Sequence, residues 1–283
     1  MKTFTADDGR KLAYEDSGGD GPAVLCLGGL TRNHRDFDDL TDALTPAYRV
    51  IRLDSRGRGG SEWAADPIEE YSVPVEAHDA ATLIRHLALK RVALIGTSRG
   101  GILSMAIAGA EPERVSAVVL NDVGAVIETR GLLRILSTLG RQPAAHSFAE
   151  AAQNLMESNA RAFPDVPLRE WERHARRLYD DDAGRPALSY DPHLRAAVAR
   201  AIDAGASKVT LWPFFEALER LPVLVIRGEN SDILSEQTVE EMRRRHPGLS
   251  ALTLRRRGHA PFLNEPEAVA AIRAFLDAHA APA

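Results

Sequence analysis

The sequence has few of the residues and motifs that mark metal-dependent and cofactor-dependent proteins. Among 283 residues there is one cysteine, Cys26, which excludes an internal disulfide and every metal site built from several cysteines. None of the nine histidines forms an H-E-x-x-H pair or another close ligand pair. A phosphate-binding P-loop and a G-x-G-x-x-G following a strand are also missing. We therefore expect no cofactor and no bound metal ion, and we expect Cys26 to be a core residue.

Long apolar runs and an excess of basic charge are missing as well. No stretch is apolar enough to cross a bilayer, and residues 1–9 contain neither an apolar core nor a cleavage signal, so we expect a cytoplasmic protein without a membrane partner. The Arg/Gly-rich residues 56–60 are similar to nucleic-acid-binding tracts, which are extended, repeated and strongly basic. Here the segment occurs once, in a chain of net charge −5, and we expect no nucleic-acid partner.

The length and the pattern of apolar residues indicate one large α/β domain with an insertion. At 283 residues and 45% hydrophobic content, the chain is too short for several independent domains. Apolar strands alternate with helices as far as residues 115–122, and from about residue 123 the sequence is helical, with a capping box at Ser147 and Glu150. We predict a core formed by residues 1–122 and 214–283, and an all-α insertion formed by residues 123–213.

Gly96-Thr97-Ser98-Arg99-Gly100 predicts a serine on a strand-to-helix corner. An apolar run precedes this segment and a helix-like stretch follows it. The two glycines are needed because a serine held in a tight, strained turn leaves no room for a Cβ on either side. The helix that follows directs its N-terminal N–H groups and the positive end of its dipole towards the serine. Ser98 is therefore the candidate nucleophile of a nucleophile elbow.

A candidate acid and a candidate base follow at the same edge of the predicted sheet. Residues 221–228 form a predicted buried strand that leads into the loop of Asp232, and residues 252–255 form a further strand that leads to His259. Because the carboxyl ends of parallel strands meet at one edge of a sheet, we expect both side chains to lie beside Ser98.

In this order, Ser98, Asp232 and His259 resemble the catalytic triad of the α/β-hydrolase family, in particular its cap-bearing esterases, lactonases and C–C hydrolases. The resemblance covers nearly the whole chain. It implies an α/β fold with a mostly parallel central sheet flanked by helices. It also implies that the all-α insertion is a cap, placed between strands 6 and 7, that covers the site and selects what enters.

Two further segments resemble the same family. Residues 24–30 are similar to its strand and oxyanion loop, and by this match the backbone N–H groups of Leu30 and Arg99 form the oxyanion hole. Gly28 stands where the family usually has a histidine that often braces this loop. Residues 54–61 resemble the family's Asp-x-Arg-Gly-x-Gly-x-Ser turn, which we interpret as scaffold.

The resemblance implies hydrolysis of a small carboxylic ester or lactone. In that reaction His259 takes the proton of Ser98, Asp232 fixes the imidazole tautomer, and water hydrolyses the acyl-enzyme. Carbon–carbon bond hydrolysis of a dienoic ketoacid and perhydrolysis use the same triad and stay open as alternatives. So does a hydrolase-fold protein that binds a ligand without catalysis. A serine argues against dehalogenase and epoxide-hydrolase chemistry, which needs a carboxylate nucleophile.

Four side chains are candidates for the substrate pocket. The guanidinium of Arg99 either binds a substrate carboxylate through two hydrogen bonds or forms an internal ion pair, for which Asp122 is a plausible partner. Trp212, Phe214 and Phe215 stand where the insertion rejoins the core, and they either line an apolar pocket or pack within the junction. The sequence carries no signal for the oligomeric state.

The elbow generates the first prediction. A fluorophosphonate should label Ser98 alone, and Ser98→Ala should lower kcat by at least about 10⁴-fold without loss of the fold. Peptide mass mapping of the labelled protein and circular dichroism of the variant check both points. Labelling of another serine, or normal turnover by the variant, contradicts the assignment.

Overall fold

A computed structural model describes residues 1–203 and 210–280, and its centre is an eight-stranded sheet. The strands of the described residues are β1 (Lys2–Thr5), β2 (Lys11–Asp16), β3 (Ala23–Leu27), β4 (Arg49–Leu53), β5 (Val92–Thr97), β6 (Val115–Asn121), β7 (Tyr179–Asp182), β8 (Arg185–Leu188), β9 (Val223–Gly228) and β10 (Leu249–Leu254), of which β7 and β8 lie outside the central sheet. The order across the central sheet is β1-β2-β4-β3-β5-β6-β9-β10. Strand β2 pairs antiparallel with β1 and β4. The other neighbours in this order, from β4 through β3, β5, β6 and β9 to β10, pair parallel, as predicted.

Helices cover both faces of this sheet. The helices of the described residues are α1 (Asp38–Leu44), α2 (Pro67–Glu70), α3 (Val73–His86), α4 (Arg99–Ala110), α5 (Thr129–Thr138), α6 (Phe148–Asn159), α7 (Leu168–Leu178), α8 (Leu194–Asp203), α9 (Trp212–Glu216), α10 (Glu236–Arg245) and α11 (Pro266–His279). Short 3₁₀ turns occupy His34–Phe37 and Pro112–Arg114. No helix in the described part of the chain is long and apolar enough to span a membrane.

Strand β3, in the middle of the sheet, is apolar throughout because both of its faces are covered. In β3, Leu25 and Leu27 pack into the cluster that contains α3 and α4, while Val24 and Cys26 pack into the cluster that contains α1 and α11. Side chains of a strand alternate between the two faces, so a run without polar positions is what two covered faces require. Burial raises the pKa of the Cys26 thiol to about 12, which agrees with its predicted place in the core.

The segment between β6 and β9 carries helices α5 to α9, but the prediction that it is all-α is wrong. Strands β7 and β8 form an antiparallel hairpin, closed by Ala183 and Gly184 at φ of 50° and 87°. The first of these strands reads Tyr-Asp-Asp-Asp and has no apolar alternation, so the sequence carried no strand signal there. Residues 204–209 of the predicted insertion lie outside the described residues, and the boundaries 123 and 213 stay a prediction.

The segment has a hydrophobic cluster of its own and ionic contacts to the first loops of the core. Trp171 and Phe163 lie at the centre of this cluster. Half of the predicted capping box is observed where α6 begins. The Ser147 hydroxyl accepts from the N–H of Glu150, but the Glu150 carboxylate accepts from the N–H of His146 and not from that of Ser147. Arg177 binds Asp39 of α1 at 2.7 and 2.9 Å, which ties α7 to the core.

Candidate active site

The structure places Ser98 on a strained corner between β5 and α4. Its φ and ψ are 52° and −115°, which non-glycine residues rarely adopt. A Cβ on Gly96 would lie 2.3 Å from the carbonyl oxygen of Gly100, and one on Gly100 would lie 2.0 Å from the carbonyl oxygen of Leu27. The first turn of α4 therefore packs against the ends of β3 and β5, and both glycines are required, as the elbow predicts.

His259 links Ser98 to a buried carboxylate. Its Nε2 lies 2.9 Å from the Oγ of Ser98, and its Nδ1 lies 2.8 Å from Oδ2 of Asp122. A carboxylate only accepts hydrogen bonds, so Nδ1 carries the hydrogen and Nε2 is free to accept the serine proton. The three side chains form the serine–histidine–acid arrangement that activates a hydroxyl for nucleophilic attack.

The acid in this arrangement is Asp122, which follows β6 directly. Its carboxylate is completely buried and accepts hydrogen bonds from the Gly228 N–H at 2.8 Å and the Ser231 hydroxyl at 2.6 Å, besides that of His259. Three donors satisfy a charge that would otherwise be costly to bury. They also fix the direction in which Asp122 presents Oδ2 to the imidazole.

The prediction that Asp232 orients His259 is contradicted by this geometry. Its carboxylate instead binds Arg134 of α5, at 2.6 Å from Nε and 2.9 Å from Nη2. Burial raises the pKa of Asp232, but Arg134 and, more weakly, His259 outweigh burial and the net shift is downward. The reason is the order of the sheet, because β6 is the neighbour of β5 whereas β9, which precedes Asp232, lies one strand further away.

The two predicted oxyanion donors border the nucleophile. Leu30 lies on the loop after β3, and a Cβ on the preceding Gly29 would lie 3.8 Å from the Cβ of Ser98. Arg99 is the first residue of α4, where a backbone N–H has no acceptor within the helix. Their role as donors to an oxyanion stays a prediction, and their position beside Ser98 supports it.

A cavity of about 680 Å³ lies between these core loops and the segment above them. Ser98, His259, Gly29 and Leu30 form its floor, and its walls are partly apolar and partly cationic. The charged wall residues are Arg32, Asp36, Arg134, Arg141 and Arg177. Within the described ranges, no three His, Cys, Asp or Glu side chains are arranged to hold a metal ion.

The Arg99 side chain does not line this cavity. Its Nε donates to Oε2 of Glu76 at 2.6 Å, and its Nη2 donates to the Tyr71 carbonyl oxygen at 2.8 Å. The alternative of an internal ion pair is thus the one observed, but the partner is Glu76 of α3 and not Asp122. The elbow presents the backbone of Arg99 to the site and turns its side chain towards α3.

The predicted aromatic pocket residues also lie away from the cavity. Phe215 is buried in the core, where α9 packs against α4, and Trp212 lies against the guanidinium of Arg245, 3.9 Å from ring centroid to Cζ. Phe214 is 39% exposed at the surface. Of the two interpretations of this cluster, the structure supports packing at the junction for Trp212 and Phe215.

Sequence reasoning missed His174, a half-buried residue on the cavity wall. Burial, together with the charges of Arg32 and Arg177, lowers its pKa well below the ordinary value. The neutral ring stacks on Phe262 with centroids 4.5 Å apart, and its Nε2 lies 3.3 Å from Nη1 of Arg32, which donates to it. An arginine in the oxyanion loop and a histidine in α7 are far apart in the sequence, and no local pattern links them.

Comparison with known proteins identifies the family. Residues 24–272 match the family model described as alpha/beta hydrolase family, and the chain belongs to that family. It is 37% identical to the 3-hydroxybutyrate-oligomer hydrolase of Cupriavidus necator, over 94% of this chain and 92% of that protein. It is 30% identical to the 2-(acetamidomethylene)succinate hydrolase of Mesorhizobium japonicum, over 96% of this chain and 94% of that protein.

Solved structures give the same result. An alpha/beta hydrolase from Novosphingobium aromaticivorans is 41% identical and superposes with a TM-score of 0.90, over 98% of this chain and 97% of that one. The structure of E-2-(acetamidomethylene)succinate hydrolase is 26% identical with a TM-score of 0.82, over 98% of this chain and 99% of that one. The protein is therefore an enzyme with hydrolase activity, and the alternative of a non-catalytic binding protein is set aside.

The choice between the two aspartates generates the second prediction. Asp122→Asn should lower kcat by about 10⁴-fold, because the amide favours the wrong imidazole tautomer. Asp232→Asn, which removes the ion pair with Arg134 and a weaker electrostatic interaction with His259, should keep kcat within about tenfold. Turnover of a p-nitrophenyl ester and the melting temperature, measured for both variants, separate catalysis from stability. An equal loss of kcat in the two variants would return Asp232 to the triad.

Proposed function

We propose that the enzyme hydrolyses small carboxylic esters or lactones through an acyl-enzyme on Ser98. The observation that carries this proposal is the bridge that His259 makes between the Oγ of Ser98 and the carboxylate of Asp122 at the floor of a cavity. A pocket of this volume is of the size that binds small molecules. The proposed partner is therefore a small-molecule substrate.

The geometry supports a two-step reaction. Nε2 of His259 accepts the proton of Ser98 as Oγ attacks the carbonyl carbon, while Asp122 stabilises the imidazolium. The N–H groups of Leu30 and Arg99 hold the oxyanion of the tetrahedral intermediate. The imidazolium then protonates the leaving oxygen, and water, activated by the same histidine, releases the acid from Ser98.

A substrate that carries its own carboxylate fits the cationic wall best. The acidic wall residue Asp36 is already bound to an arginine, and three of the four wall arginines have acidic partners. These pairs are Arg32 with Asp36, Arg134 with Asp232, and Arg177 with Asp39. The remaining arginine, Arg141, is exposed and makes no ion pair with any described acidic side chain. The hydroxybutyrate oligomers and the succinate derivative in the relatives' names are carboxylates, which agrees with this proposal.

Arg141 thus takes over the role first considered for Arg99, and this generates the third prediction. Arg141→Met should lower the ratio of kcat/KM for mono-p-nitrophenyl glutarate over p-nitrophenyl valerate by about tenfold, because an exposed charge-assisted contact is lost. The two esters have acyl chains of equal length and differ in one carboxylate. Arg130→Met is the control. It removes the same charge from an exposed position of α5 that does not line the cavity.

A ratio that is unchanged in Arg141→Met, or that falls equally in Arg130→Met, contradicts a specific contact between Arg141 and the substrate carboxylate.

A panel that adds lactones and vinylogous diketones to these esters tests the reaction class. Hydrolysis of esters or lactones with an acyl mass on the Ser98 peptide is expected. Turnover of the diketones alone would favour the carbon–carbon hydrolase alternative.

A further inference from the structure

Glu76 of α3 occupies an unusual position for a carboxylate beneath an active site. It is 1% exposed, and each of its oxygens binds a different guanidinium. Oε1 accepts from Nη1 of Arg58 at 2.6 Å, and Oε2 accepts from Nε of Arg99 at 2.6 Å. Well-packed apolar residues stabilise a core at least as well as a buried ion pair does, so packing alone gives no reason for three charges here.

Each of the two arginines is connected to one of the two proposed oxyanion donors. Arg58 is completely buried, and its Nε donates to the Leu30 carbonyl oxygen at 2.8 Å. The other guanidinium is the side chain of Arg99, so Glu76 binds the first residue of α4 directly. Leu30 follows two consecutive glycines, Gly28 and Gly29, which give its loop little conformational restriction of their own.

We propose that Glu76 is a positioning residue that sets the orientation of the Leu30 and Arg99 backbone N–H groups towards a common oxyanion. This inference rests on the proposed function. One carboxylate, through its two oxygens, connects the loop after β3 to the first turn of α4. Misplacing either donor by a fraction of an ångström weakens a contact that is made in the transition state and not in the bound ester.

The charge of Glu76 is essential to this arrangement. Burial raises the pKa of Glu76, but the charges and hydrogen bonds of Arg58 and Arg99 outweigh burial and keep the carboxylate ionised. A glutamine at this position keeps the shape but has a single acceptor oxygen. A glutamine can therefore keep the hydrogen bond to only one of the two arginines. The substitution separates the loop of Leu30 from the first turn of α4.

Asp79, one turn further along α3, offers a matched control. It is as deeply buried as Glu76, and it binds Nε and Nη2 of Arg56 at 2.7 Å each. Neither Asp79 nor Arg56 makes a hydrogen bond to Leu30 or Arg99 in the described structure. Asp79→Asn therefore changes a buried carboxylate of the same helix that makes no hydrogen bond to the proposed oxyanion donors. The carbonyl oxygen of Arg56, which accepts from Nη1 of Arg58 at 2.6 Å, stays in the variant.

The fourth prediction compares the two variants. Glu76→Gln should lower kcat for p-nitrophenyl valerate by about 10²-fold, with KM within about threefold, because a displaced oxyanion donor acts on the transition state. Asp79→Asn should lower the melting temperature to a similar degree but keep kcat within about threefold. A second measurement uses an alkyl trifluoromethyl ketone, whose adduct with the serine presents an oxyanion. Its inhibition constant should rise with Glu76→Gln by the factor that kcat/KM falls, and should not change with Asp79→Asn.

An inhibition constant that is unchanged in Glu76→Gln, or an equal loss of kcat in both variants, overturns the role of Glu76. If Glu76→Gln does not fold, Arg99→Met takes its place, because it removes the guanidinium and keeps the N–H, and the same weakening of ketone binding is expected. A wild-type enzyme that neither hydrolyses esters nor binds the ketone overturns the proposed function itself. The two failures are therefore distinguishable.

Discussion

The close packing of the first turn of α4 against the ends of β3 and β5 determines the geometry around the nucleophile. A Cβ at Gly100 would overlap the carbonyl oxygen of Leu27, so only glycine permits this approach. The contact forces Ser98 into its strained conformation and places the N–H of Arg99 beside it. It also brings the loop that contains Leu30 alongside the nucleophile. The position of Ser98, its strained backbone and the placement of the two proposed oxyanion donors thus depend on one backbone contact.

Two buried carboxylates lie on either side of that backbone contact. Asp122 is held by three donors above the elbow, and Glu76 is held by two arginines below it. The turn at residues 54–61, which the sequence analysis interprets as scaffold, supplies Arg58 to this lower network. In a medium of low polarity each of these charges fixes its partners more firmly than it would in water. The turn therefore contacts the site, although it carries none of the chemistry.

The sequence predicts those features that depend on neighbours in the chain. The two glycines around Ser98 and the strand before it are enough to recognise an elbow, and the loop position of His259 after a strand is enough to suggest the base. The acid was misassigned because Asp122 and Asp232 both follow buried strands, and only the order of the strands decides which lies closer. The same limit applies to Arg99, since its partner Glu76 lies in a separate helix and no periodicity indicates their contact. Strand β7 contains three consecutive aspartates and no apolar alternation, so the sequence pattern does not predict a strand there.

The floor and the wall of the cavity come from two different parts of the chain. Its floor comes from loops at the carboxyl ends of the central strands, which hold the reacting groups. Much of its wall comes from the segment between β6 and β9, which contributes Arg134, Arg141, His174 and Arg177. Arg134 and Arg177 form ion pairs with Asp232 and Asp39 of the core, and these pairs join the two parts. Arg141 makes no ion pair with a described acidic side chain, and we propose that it contacts the substrate. Changes to the wall should therefore alter which substrate is accepted, whereas changes to the floor should alter how fast any substrate reacts. Such a separation allows selectivity to change while the elbow and the triad stay the same.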